Sequence, residues 1–342
     1  MTSASAIHEG STGATPPLSV AMSVYNGARF LESAIDSVLA QDFADFEFLI
    51  VDDGSSDGTP DILRAYAARD PRVIPIVREN RGLVASLNQL LGLARAPLVA
   101  RMDADDLAAP DRFSAQLAFL AEHPEVGVLG SWTTDIDEYG EPCTAGPEDH
   151  PVTHEEFLAN VVRGGPLLAH PTVIYRRDVV LSVGGYHKAF RHCEDFDLWL
   201  RLADRTRIAN LPRRLLRYRH YAGQVSQRHA VEQQIGVAVA RLAQAERAAG
   251  RPDPTETLDA LPPLAELDAL FGRPDVAQEV RGRAARSLVY SREAMTGAGY
   301  DLLLQHVEEG GTGRDLWRTA ARLLRFGEPA RALRLAAALA SR

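Results

Sequence analysis

Leu18-Ser-Val-Ala-Met-Ser-Val24 is a short apolar run closed by the turn Tyr25-Asn-Gly27. From Ala28 to Gln41 the apolar residues Phe30, Leu31, Ala34, Ile35, Val38 and Leu39 return at the spacing of one helix face. Phe46-Glu-Phe-Leu-Ile-Val51 predicts a second strand, ended by Asp52-Asp-Gly-Ser-Ser-Asp-Gly58. Thr59 then predicts an N-cap, with Pro60 at the first helical position. The alternation continues as a strand over Arg72–Val77, a helix over Leu83–Ala94, a strand over Pro97–Met102, a helix from Pro110 through Glu122 and a strand over Val126–Gly130. Strands alternating with helices predict a parallel sheet covered by helices. Ligands of such sheets lie outside the carboxyl ends of the strands. Two acidic clusters, Asp52-Asp53 and Asp103-Ala-Asp-Asp106, follow the second and fourth strands and so share one edge of the sheet.

Beyond Gly140 the pattern loosens. Thr172–Tyr175 and Leu215–Tyr218 predict strands, and Asp195–Leu202 a helix. From Val231 the chain is rich in Ala, Leu and Arg with helical periodicity, broken at Pro252, Pro262-Pro263, Pro274, Gly310-Gly311 and Gly327. The organisation expected is a disordered tail over 1–17, an α/β domain over 18–228 and an α-helical region over 229–342. The tail is rich in Ser, Thr, Ala, Gly and Pro and lacks the basic start and apolar stretch of a signal peptide.

Composition narrows the partners. Lys and Arg number 37 against 46 Asp and Glu, a net charge of −9, which argues against nucleic acid. Two cysteines, Cys143 and Cys193, are too few for a disulfide framework and read as reduced thiols of a cytoplasmic protein. No apolar run approaches the roughly 18–20 residues of a membrane span. The segment Arg314–Arg342 carries many Arg and Leu residues. That suits either a helix covering the protein or a basic amphipathic helix lying on the inner face of a membrane; a homodimer contact is the third option.

Three clusters could carry chemistry. Asp103 and Asp105, two carboxylates at i and i+2 past a strand, can share one hard cation such as Mg²⁺ or Mn²⁺, although Asp also favours loops for purely structural reasons. Asp52-Asp53-Gly-Ser could accept hydrogen bonds from a base or ribose, or form an ordinary turn. Glu194-Asp-Phe-Asp-Leu-Trp199 places carboxylates in the first turn of a helix, where capping is one reading and a general base for an acceptor hydroxyl the other. Trp199 is either core or an apolar wall against a sugar, and His170 and His220 are neighbours suited to a phosphate or metal.

In chain order, Leu18-Ser-Val-Ala-Met-Ser-Val-Tyr-Asn-Gly27, Val51-Asp-Asp-Gly-Ser-Ser-Asp-Gly-Thr59, Asn80-Arg-Gly82, Ala100-Arg-Met-Asp-Ala-Asp-Asp106, His170-Pro-Thr172, Gly184-Gly-Tyr186, Glu194-Asp-Phe-Asp-Leu-Trp-Leu-Arg201 and Tyr218-Arg-His220 resemble the inverting family-2 glycosyltransferases of GT-A fold. The resemblance implies a Rossmann-like mixed sheet flanked by helices. It implies Tyr25, Asn26, Asp52, Asp53, Asn80, Arg81 and Asp103 around a nucleotide-sugar, with UDP- or dTDP-sugars leading, and Asp105 with Asp103 on the metal. Asp195 would be the base, with Glu194 beside it, and Trp199 and Arg201 would support the acceptor side, be the acceptor a sugar, a lipid-linked sugar or another molecule. Gln224-Val-Ser-Gln-Arg-His229 departs from the Gln-x-x-Arg-Trp of processive members, which points to single addition. The rivals are a nucleotidyltransferase that makes nucleotide sugars and a binding module without turnover.

Overall fold

The computed structural model describes residues 15–143, 149–222, 224 and 229–341. The tail expected over 1–17 therefore lies almost wholly outside the described residues. Among them, eight strands form one sheet: β1 (Leu18–Val24), β2 (Phe46–Asp52), β3 (Val73–Val77), β4 (Leu98–Asp103), β5 (Leu107–Ala108), β6 (Val126–Ile136), β7 (Ile174–Arg176) and β8 (Arg207–Arg219). Their order is β3-β2-β1-β4-β7-β6-β8-β5. The first four are parallel neighbours; β7 runs antiparallel between β4 and β6, and β5 runs antiparallel on β8. The sheet is thus mixed, as the resemblance implied, and the all-parallel expectation from alternation alone is corrected beyond β4.

Both faces of β1 and β2 are buried, which is why they read as continuous apolar runs. Val20, Met22, Phe46, Phe48 and Ile50 pack against Leu31, Ile35 and Val38 of α1 (Ala28–Leu39) and Leu63 of α2 (Thr59–Arg69). The alternate residues Ala21, Leu49 and Val51 face α3 (Leu83–Leu93) and its Leu87, Leu90 and Leu91. Helix α4 (Arg112–Glu122) adds Phe113 and Leu120 to the first layer. At the start of α2, Thr59 is the first helical residue rather than the N-cap. Its hydroxyl instead accepts from the Gly27 amide at 3.0 Å, while Asp57 accepts from the Thr59 amide at 3.0 Å.

The second half differs more from expectation. His170–Thr172 is a 3₁₀ turn, because Pro171 has no amide to give a ladder, and β7 begins after it. The last strand runs over 13 residues instead of four. Helix α5 (His154–Arg163) opens on a capping box between Thr153 and Glu156, and α6 (Arg177–Ser182) follows β7. Helix α7 (Glu194–Ala203) packs under α8 (Ala230–Ala248).

Short helices follow: α9 (Leu267–Phe271), α10 (Val276–Leu288), α11 (Arg292–Thr296), α12 (Ala298–Glu308), α13 (Arg314–Arg325) and α14 (Pro329–Ala340). Residues from α10 to α14 build a cluster of their own around Leu303, Leu316, Leu323 and Leu335. The sheet-covering cluster, however, continues through Val239 and Leu242 of α8 into Val276 and Val280 of α10, so apolar contact crosses residue 229.

At that seam Gly236 of α8 lies against Cys193, just ahead of α7. A methyl group on Gly236 would collide with the Cys193 sulfur, whereas the Cys193 Cβ would sit 3.9 Å away in ordinary contact. Gly236→Ala should therefore lower stability by about 1–3 kcal/mol. Cys193→Ala added to it should restore most of that loss. Thermal melts of the two variants measure this, and a double variant no better than the single one would mean the seam is not set by this contact.

Candidate active site

The strand register brings the two acidic clusters to one edge of the sheet. Ser23 of β1 pairs with Val51 on one side and Asp103 on the other, and Val24 pairs with Asp52. The chain switches direction of sheet growth between β1 and β4, so both clusters emerge where the neighbouring connections part. A cavity of about 560 Å³ opens there. Asp103, Asp105, His170, Glu194, Asp195 and His220 all line it, together with Arg101, Tyr218 and Tyr221, which the sequence reading did not single out.

Each carboxylate after β4 is tied down on one oxygen. Asp103 Oδ1 is paired with the buried Arg101 guanidinium. Asp105 Oδ2 accepts from the Tyr221 hydroxyl at 3.0 Å, and Asp106 Oδ1 from the Arg219 amide at 2.8 Å. Asp106 Oδ2 is buried without a partner. Burial, followed by the neighbouring Asp103, pushes Asp105 up to about 6. Burial and then Asp105 push Asp106 well above the carboxylate range. Oxygens of Asp103, Asp105 and Asp106 come within 4.8 Å of one another. An all-oxygen set with an orphaned buried oxygen and raised carboxyl pKa values suits a hard divalent cation such as Mg²⁺ or Mn²⁺.

Opposite them stands the start of α7. The N-terminal turn of a helix favours negative charge, and Glu194, Asp195 and Asp197 all lie in it. Asp197 turns away and holds Arg201 at 2.7 Å, and Arg201 in turn donates to the Val183 and Gly185 carbonyls at 2.7 and 2.8 Å. Arg201 therefore fixes the Gly184-Gly185 turn. Asp195 takes the Phe196 amide at 2.8 Å on Oδ1 and faces the cavity. Burial raises Glu194 to about 8, with Asp195 the next cause, and burial raises Asp195 to about 6. Burial thus makes both carboxyls hold their protons more tightly than free carboxylic acids do, Glu194 more strongly than Asp195.

Trp199 belongs to the core. It is 1% exposed, does not line the cavity and meets His170 edge-on at 5.9 Å, so the reading of it as a sugar-facing wall is corrected. His170 shares a hydrogen bond of 2.9 Å with the Tyr186 hydroxyl, and burial, then Arg101, hold it well below the usual imidazole range. It is a neutral hydrogen-bonding group in the cavity wall. His220 pairs with Asp135 at 2.9 Å.

The edge after β1 and β2 is a separate group outside this cavity. Asn26 has φ 51°, a left-handed conformation that Asn tolerates, and its Oδ1 accepts from the Ser56 amide at 2.8 Å. Asp53 accepts from the Arg81 and Gly82 amides at 2.9 and 2.8 Å and pairs with Arg78 at 2.8 Å. Asp52 is fully buried, with Oδ1 on the Ser55 amide and Oδ2 unpartnered. These carboxylates are turned into the protein, where they brace the loops. Tyr25, Asn26, Asn80 and Arg81 are exposed here.

A further cluster, His192, His229 and Glu232, reaches the cavity through His192. Its two imidazole rings stack face to face at 3.9 Å, so their in-plane lone pairs do not converge on one point. The missed residues had a signal. Arg101 stands two positions before Asp103, and Tyr221 directly follows the Tyr218-Arg-His220 stretch.

Folded-state carboxyls that keep protons link stability to pH. Unfolded, Glu194 and Asp195 would release them near 4.5 and 3.8; folded, they do so at about 8 and about 6. The stability this retention supplies is complete below the unfolded values and is lost as pH rises through the folded ones. Metal-free protein should therefore melt at lower temperature at pH 8 than at pH 6, and Glu194→Gln should flatten that slope. An unchanged slope in the variant would place the retained proton elsewhere.

The model of Glycosyl transferase family 2 matches residues 19–182. The amylovoran biosynthesis glycosyltransferase AmsE of Erwinia amylovora is 31% identical over 217 residues, which are 61% of this chain and 79% of that protein. The mannosyltransferase PcManGT of Pyrobaculum calidifontis, solved with GDP-Man and Mn²⁺, superposes with a TM-score of 0.53 at 19% identity, over 95% of this chain and 87% of its own. S. aureus TarS 1-349, solved with UDP-GlcNAc, gives 0.54 at 20% identity, over 95% and 90%. Fold, motif order and relatives converge, and the chain belongs to glycosyl transferase family 2, as a glycosyltransferase of GT-A fold.

Proposed function

We propose that this glycosyltransferase moves one sugar from a nucleoside diphosphate donor to an acceptor hydroxyl, with metal dependence and inversion at the anomeric carbon. The observation that carries the reading is the single cavity that joins the cation-suited Asp103 and Asp105 to Asp195. Asp105 and Asp103 would hold Mg²⁺ or Mn²⁺, with Asp106 supporting the loop. Bound there, the cation would offset the charge of the departing diphosphate. Tyr25, Asn80 and Arg81 would meet the nucleoside, on loops braced by Asn26, Asp52 and Asp53. The solved neighbours carry UDP, UDP-GlcNAc or GDP-Man, which supports a nucleotide-sugar donor without selecting among them.

The acceptor oxygen forms its bond to the anomeric carbon as the bond from that carbon to the diphosphate oxygen breaks. The electron pair leaves with the nucleoside diphosphate, and the hydroxyl proton passes to the Asp195 carboxylate. Attack and departure on opposite faces give inversion. Asp195 suits the role better than Glu194 because burial raises its carboxyl less. His170 and His220 would line the acceptor or phosphate path. Membership of the transferase family sets aside the nucleotidyltransferase alternative. Acceptors of polysaccharide or glycolipid type fit the amylovoran and O-antigen biosynthesis relatives, and among the described residues no helix is long and apolar enough to cross a membrane.

Asp195→Asn keeps the size and the amide-accepting oxygen but cannot take the proton. Transfer should fall by roughly 10²–10⁴-fold while donor affinity holds. Glu194→Gln should cost much less. Should the asparagine variant transfer at wild-type rate, the base is elsewhere, and if the glutamine variant alone fails, it lies one residue earlier.

Asp105→Ala should abolish the dependence of donor affinity on Mn²⁺ or Mg²⁺, as a chelator should in the wild type. Full turnover in chelator would refute the metal role.

A further inference from the structure

Helices α13 and α14 bury Leu316, Thr319, Ala320 and Leu323, and Ala332, Leu335 and Leu339, in the carboxyl-side cluster. Between that buried face and the outer side, Trp317, Ala321 and Leu324, at i, i+4 and i+7, form one exposed apolar stripe of α13, with Trp317 48% and Leu324 58% exposed. Arg314, Arg318 and Arg325 are also exposed and line the adjoining stripe. On α14, Leu333 is 71% exposed, between the exposed Ala330 and Ala337 and beside Arg334. Tyr290, 75% exposed, lies under the Arg322 guanidinium at 4.0 Å. Over residues 314–341 six arginines face one aspartate and one glutamate, in a chain whose net charge is −9.

We propose that α13 and α14 are a docking surface for an anionic lipid bilayer. An amphipathic helix at such an interface sinks an apolar stripe carrying Trp and Leu to the headgroup boundary while flanking arginines extend to lipid phosphates. The arginine surplus selects an anionic surface. The rest of the chain is more acidic still and would be repelled by it, so this hairpin alone would set the approach. A second copy of the chain would meet the same arginines and bring like charge against like. The inference does not depend on the transfer reaction, and its test is read without it.

Full-length protein should co-sediment with vesicles of phosphatidylcholine and phosphatidylglycerol, far less with phosphatidylcholine alone, and lose binding as salt is raised. Arg318→Glu with Arg325→Glu should weaken binding to anionic vesicles by at least about tenfold. Trp317→Ser with Leu324→Ser and Leu333→Ser should weaken it severalfold, with melting temperature and nucleotide affinity retained in both. Equal binding by neutral and anionic vesicles, or by wild type and variants, overturns the proposal. So does a wild-type dimer that the serine variants dissociate while vesicles capture neither form, since the face would then be a contact between copies. None of these outcomes bears on Asp195 or Asp105.

Discussion

The site depends on gathering negative charge. Asp103, Asp105, Asp106, Glu194 and Asp195 surround one cavity, and the buried guanidinium of Arg101 is the cation that several of them share. Burial works against Asp105, Asp106, Glu194 and Asp195, and each answers by holding its proton more tightly. Such a cluster is poorly placed by itself and well placed for a divalent cation and an anionic ligand arriving together. The protein supplies the fixed half of that arrangement: Tyr221 on Asp105, the Arg219 amide on Asp106, Arg101 on Asp103. Little would have to reorganise on binding, which is where oriented charge is most effective.

Holding those groups requires contacts from distant parts of the chain. Asp103 comes from β4, Asp195 from α7, and Tyr221 from just beyond β8. The antiparallel β7 between β4 and β6 brings the second half of the sheet alongside the first, and with it His170. Gln116 of α4, fully buried, donates to the Leu129 and Thr172 carbonyls at 3.1 and 2.9 Å and so joins that turn to β6. The seam between α7 and α8 completes the frame: Cys193 lies against Gly236, one residue ahead of Glu194. Packing in the helical region therefore bears on where the carboxylates of α7 sit.

The first half of the fold was legible in the sequence because its strands are buried on both faces and its helices carry a clean apolar stripe. β1, β2 and α1 begin where the pattern says they do. The second half was legible only in fragments. Strand β8 is half exposed and contains Pro212, so only its Leu215-Leu-Arg-Tyr218 portion reads as a strand. Helix α5 carries a readable start, Thr153 three residues before Glu156, but only Phe157 and Val161 of its ten residues are buried, and the surrounding stretch hides so small a stripe. Candidate residues divided by the same logic. Short-range motifs marked Asp103, Asp105 and Asp195, which reach the cavity. Whether Trp199 faces a ligand or the core depends on which side of α7 meets α8 and the sheet, and a tertiary contact of that kind has no local signature.

The inward turn of Asp52 and Asp53 follows from hydrogen-bond supply. A turn rich in Gly and Ser exposes many amide donors, and a carboxylate within reach satisfies them before any ligand does. Asp53 has two such donors, the amides of Arg81 and Gly82, and adds the Arg78 guanidinium, and the residue is 3% exposed. That work matters to the site, because the same bonds hold Arg81 and Asn80 out at the sheet edge, next to Tyr25 at the end of β1. Conserving this geometry asks for an acid at 53 as firmly as direct contact with a nucleoside would. The two demands differ in what a substitution disturbs: loss of the brace moves the whole 80–82 loop, whereas loss of a ligand contact leaves the loop where it is.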